Sequence, residues 1–68
     1  MSKRIPQIGD IWQDYHGHFL VLEEHSLTDF EKKHGYVCEI SILALESGKI
    51  ESFWTITRMR LEELTFVA

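Results

Sequence analysis

His16 and His18, one residue apart in a chain of 68 residues, have the first spacing that suggests chemistry. On a strand, residues two apart share a face, so both imidazoles and the Asp14 carboxylate would converge on one metal ion. Gly17 between them signals a turn instead, which leaves the two rings solvated and unconverged. His16 and His18 are therefore only weak metal candidates, and neither a metal nor another cofactor is expected. Cys38, the single cysteine, would need a nearby base and an electropositive setting to act as a nucleophile. It lies among Val37, Ile40 and Ile42, a setting for a buried, inert thiol. Glu23-Glu24 and Glu62-Glu63 are adjacent pairs, which on a strand point to opposite faces and read as solvated charge. The sequence holds no Gly-rich phosphate loop, no nucleophile elbow and no zinc-protease helix motif. The expectation is a protein without catalytic activity.

Binding is better supported than catalysis. Residues 11–15 alternate, with Ile11 and Tyr15 on one face and Asp10, Trp12 and Asp14 on the other. A large aromatic on a polar face is the kind of group that anchors an interface, so Trp12 is the leading interaction candidate, against the alternative that it covers the edge of the core. Tyr36 and Phe53 extend the same patch if they face outward. Lys3, Arg4, Arg58 and Arg60 are weaker candidates for single-stranded nucleic acid, should the two ends of the chain meet. Eleven acidic against seven basic residues give a net charge of −4. That balance disfavours phosphate backbones, which need clustered Lys and Arg.

These groups must be positioned by a single small domain. The apolar content of 44%, with two Trp, two Tyr and four Phe, suits a globular chain, although a domain this short buries only about 60% of its unfolded surface. The lone cysteine excludes an intrachain disulfide and a Cys-rich zinc site, and points to a reducing, cytoplasmic setting. No apolar run approaches the ~20 residues of a membrane span. Met1-Ser2-Lys3-Arg4 is followed by Ile5-Pro6-Gln7, which is not the apolar region of a signal peptide. No membrane partner is expected.

The centre of the chain is residues 36–57, two β-rich runs broken once at Glu46-Ser47-Gly48-Lys49, the signature of a long hairpin. Residues 1–7 read as a frayed arm and residues 8–68 as the domain. Phe19-Leu20-Val21-Leu22 is apolar on both faces, as in a strand buried on two sides or bent within a barrel. Tyr36, Cys38, Ile40 and Ile42 share one parity while Leu43 and Leu45 take the other, which predicts a bulge or sharp bend. Thr28-Asp29-Phe30-Glu31 has the spacing of a capping box and Gly35 can end the turn, so residues 26–35 should hold a short helical turn. A second is expected near residues 58–63, before a last short strand over residues 64–67.

Ile8-Gly9-Asp10-Ile11-Trp12, then Phe19-Leu20-Val21-Leu22, then Leu43-Ala44-Leu45-Glu46-Ser47-Gly48-Lys49 follow one another in an order that resembles many small uncharacterised bacteriophage proteins with an SH3-like barrel. The resemblance spans most of the chain. It implies an all-β fold, a small five-stranded SH3-like barrel, and a phage origin with action in the host bacterial cytoplasm. It implies no reaction. The Ala-Leu-Tyr-Asp-Tyr type segment of proline-binding SH3 domains is missing, as is the basic loop of nucleic-acid-binding relatives. The resulting expectation is a protein-binding module acting on a host protein or on a second copy of itself, with a nucleic-acid-binding barrel as the alternative.

Overall fold

A computed structural model gives the fold, and its description covers residues 4–68. The hairpin predicted over residues 36–57 is formed by β3 (Tyr36–Ala44) and β4 (Ile50–Thr57), paired antiparallel. Gly48 sits in the connecting turn at φ +73°, a conformation that favours glycine. Its N–H donates to the Ala44 carbonyl, and the Ala44 N–H donates to the Lys49 carbonyl, both at 2.8 Å. β2 (Gly17–His25) pairs with the other edge of β3, β1 (Ile11–Asp14) with β2, and β5 (Thr65–Phe66) with β1. The described residues thus form one antiparallel sheet of five strands in the order β4-β3-β2-β1-β5.

The fold is all-β with two short helices, but the sheet is not closed. β4 and β5 are its two free edges, and a two-residue β5 offers little backbone for closing a barrel. Both predicted helical turns are present. α1 (Asp29–Lys33) carries the full capping box: Thr28 Oγ1 accepts from the Glu31 N–H at 3.2 Å, and Glu31 Oε1 accepts from the Thr28 N–H at 2.9 Å. α2 (Arg58–Glu62) is capped by Thr57, whose Oγ1 accepts from the Arg60 N–H.

Three extra residues bend the sheet. Val21 faces Ile42 and Glu23 faces Ser41, which leaves Leu22 unpaired in β2. Val37 is the extra residue of β3 near its start. In β4, Ser52 and Phe53 together oppose Ser41 alone. From Cys38 to Ala44, β3 itself runs without a change of face, so the expected swap inside it does not occur. The bulges sit in its neighbours and at its first turn, while Leu43 simply points away from the core.

The core fills the concave side: Trp12, Phe19, Val21, Ile40, Ile42 and Ile56 from the strands, with Leu61 and Leu64 from the α2 region. Trp12 is the corrected element. It is 0% exposed, its ring edge-on to Phe66 with centroids 5.5 Å apart. The alternation expected for residues 11–15 is present but its sides are exchanged: Asp10 and Trp12 point inward, and Tyr15 is 70% exposed. The chain from Arg4 onward is also no frayed arm. Pro6 is fully buried, and the Gln7 N–H donates to Asp10 Oδ2 at 2.9 Å. Met1, Ser2 and Lys3 lie outside the described residues.

Candidate interaction face

Residues directly opposite one another in an antiparallel pair share a face. The register sets Ile11 against Leu20, Leu20 against Leu43, and Leu43 against Ile50. These four aliphatic side chains therefore form one row across four strands. It lies on the face opposite Trp12, Phe19 and Ala44, which make the next row inward. Ile11, Leu20 and Leu43 are half-buried by their neighbours; Ile50, at the free edge, is 65% exposed. The apolar run in β2 is explained: Phe19 and Val21 fill the core, and Leu20 belongs to the outer row.

Beyond the bulges, the outer face carries Glu23, His25, Glu39, Ser41 and Thr55, again by direct pairing. Phe53 lies over this part. Its ring stacks on the His25 imidazole with centroids 4.3 Å apart, and its N–H donates to Ser41 Oγ at 3.5 Å. His25 Nε2 and Ser41 Oγ share a hydrogen bond of 2.7 Å. Phe53 stays 64% exposed and holds φ +55°, the one non-glycine residue with positive φ among those described. A bulky side chain there costs about 1–2 kcal/mol.

A serine bonded to a histidine raises the question of hydrolysis. Glu23 approaches the same Nε2 edge of His25, at 3.9 Å, whereas a catalytic carboxylate orients the ring from Nδ1. Ser41 itself is buried beneath Phe53 and His25. His25 and Ser41 together hold Phe53 in place. Sequence reasoning missed this arrangement because Leu22 shifts the β2 register, and nothing in the order of residues announces that shift.

Two carboxyls, Glu39 and Glu31, meet at the α1 end of this face. The Glu39 carboxyl is pushed above its ordinary range by burial and by the neighbouring Glu31 carboxylate. Glu31 is held below it, chiefly by the Thr28 N–H. Tyr36 begins β3, half-buried and paired with Thr57, on the far side of the Val37 bulge; it makes no ring contact with Phe53. Of the three expected interaction residues, only Phe53 stands open on this face.

Among the described residues a cleft of about 400 Å³ lies on the concave side, between the turn after β1 and the turn after β3. Phe19, Ile42 and Trp54 line it beside His18, Glu46 and Arg60. Glu46 ties the two turns together, accepting from the His18 N–H at 2.8 Å and lying 2.9 Å from His18 Nδ1. A Cβ at Gly17 would displace that carboxylate, and Gly17 holds φ +132°, a conformation that favours glycine. His16 packs instead on Tyr15. Among the described residues no three His, Cys, Asp or Glu side chains gather to hold a metal, so His16, His18 and Asp14 do not converge.

Of the expected basic residues, two are engaged within the chain among the described residues. Arg4 is spent on Asp10, with two hydrogen bonds of 3.0 and 3.1 Å, and lies over the Phe66 ring. Arg60 stacks on Tyr15 and Trp54, donates to the Tyr15 hydroxyl at 3.0 Å, and faces Asp14 and Glu63. Arg58 is exposed, and Lys3 lies outside the described residues. No helix among the described residues is long and apolar enough to cross a membrane. No known family matches the chain, and no curated protein or solved structure matches it.

Proposed function

We propose that this chain is a small protein-binding module with no chemistry of its own, which docks a partner protein on the outer face of its sheet. Phe53 carries the reading. A glycine would relieve the backbone there, yet the chain keeps an exposed aromatic ring, braced by His25 and Ser41 and continuous with the row ending at Ile50. The SH3-like barrel belongs to the same proposal. The antiparallel strand order, in which β5 returns to pair with β1, the bulged bends and the helical turn before the last strand support it. With that resemblance comes a phage origin, and with it a host cytoplasmic protein as the partner.

The test compares immobilised wild-type chain with Phe53→Ala and Ile50→Ser for proteins retained from bacterial lysate. Both changes lie on exposed positions, and circular dichroism checks that each variant is folded. A protein held by the wild type and lost by both variants supports the proposal. Equal retention by all, or retention of nothing, overturns it.

A further inference from the structure

The outer face is asymmetric in charge, and this names the chemistry of its occupant. Glu23 and Glu39 flank Phe53 on the face itself, and Glu31 reaches Glu39 from α1. None of the three has a Lys or Arg partner among the described ion pairs, which use Arg4 on Asp10 and Arg60 on Asp14 and Glu63. Among the described residues, His25 is the one group of potentially opposite charge between Glu23 and Glu39, 3.9 Å from the former and directly opposite the latter in the β2–β3 register. Lys32 and Lys33 are exposed on α1, and Lys49, next to Ile50 in the chain, lines the concave cleft. The face therefore joins four aliphatic residues and an aromatic ring to three carboxylates that have no Lys or Arg partner among the described ion pairs.

Resting on the docking role proposed above, we infer that the outer face takes a cationic, apolar-patterned segment of a partner protein. Its aliphatic residues lie along Ile11, Leu20, Leu43 and Ile50, and its Lys or Arg groups meet Glu23, Glu39 and Glu31. Charge decides between this occupant and a second copy. At −4 per chain, two copies repel, whereas a basic segment is drawn toward the face before contact. Desolvation decides the position of the cations. The half-buried Glu39 is poorly solvated and crowded by Glu31, so it gains most from a partner's positive charge.

The test titrates the full chain, followed by amide NMR, with a synthetic peptide of alternating leucine and lysine and with its leucine–glutamate counterpart. The expected result is that the lysine peptide shifts Leu20, Leu43, Ile50 and Phe53, and the glutamate peptide does not. Glu23→Gln and Glu39→Gln should each weaken the lysine peptide roughly fivefold, and raising salt from about 0.1 to about 1 M should weaken it further. Equal shifts on this face from both peptides overturn the charge inference while leaving the docking face standing. Shifts confined to the concave cleft, or no shifts, overturn the inference, and the lysate comparison still decides the docking role. Concentration-dependent shifts of the same residues without peptide overturn it in favour of a second copy.

Discussion

Asp10 Oδ2 accepts a hydrogen bond from the Trp12 indole N–H at 3.2 Å, with both residues buried. The carboxylate also takes the Gln7 N–H and the Arg4 guanidinium, so one acid supplies the polar partners of a core tryptophan and of the incoming chain. Asp10→Ala should cost about 1–3 kcal/mol, because it orphans a buried indole donor. Asp10→Asn keeps an acceptor for the indole and should cost less. The Arg4 hydrogen bonds hold the Asp10 carboxyl below its ordinary 3.8. A depressed folded value means its contribution is complete above that ordinary value and is lost as pH falls through the folded one. Urea titrations across the acid range should show this loss in the wild type and its reduction in Asp10→Asn.

The same arginines explain what the sequence concealed. Two carboxylates beside Trp12 mark its face as polar, yet Arg4 neutralises Asp10 and Arg60 faces Asp14, so that face can turn inward. The charge-compensating partners lie six and forty-six residues away along the chain, and local alternation carries no trace of them. The burial of Trp12 and the engagement of Arg4 and Arg60 within the chain thus have one cause. Local signals were read correctly where the physics is local: the Gly48 turn, the Thr28 capping box and the helical turn before the last strand. The His25–Ser41–Phe53 arrangement depends on bulges at Leu22 and in β4, which periodicity does not locate.

Glu39 should oppose stability at neutral pH. Burial, then the Glu31 carboxyl, raises it above its ordinary 4.5. The raised folded value means the fold favours the protonated form, a contribution present below the ordinary value and lost as pH rises through the folded one. Glu39→Gln should therefore raise the melting temperature at neutral pH and change it little in acid. The same variant should weaken the leucine–lysine peptide. Stabilisation together with weaker binding separates a functional acid from a structural one.

Cys38 should be a slow thiol. Burial first, and Glu24 second, push it from its ordinary 9.0 up to about 11. That shift leaves about a hundredfold less thiolate at mildly alkaline pH. Reaction with a disulfide reagent should be slow in the native protein and become fast in urea. Comparable rates in both states would show that the β3–β4 pairing around Cys38 and Ile56 opens readily.

Phe53 gives a test of sign as well as size. Phe53→Ala removes the stacking on His25, worth about 0.5–1.5 kcal/mol, and keeps a Cβ in the left-handed conformation. Phe53→Gly removes the same stacking but also the strain, since glycine accepts φ +55° without penalty. The glycine variant should be about 1 kcal/mol more stable than the alanine variant, the reverse of the order in an ordinary strand, and close to the wild type. Chemical denaturation of the three proteins measures both differences. If alanine proves the more stable, Phe53 is not held at positive φ, and the reading of its ring as an aromatic kept for binding at the expense of the backbone fails with it.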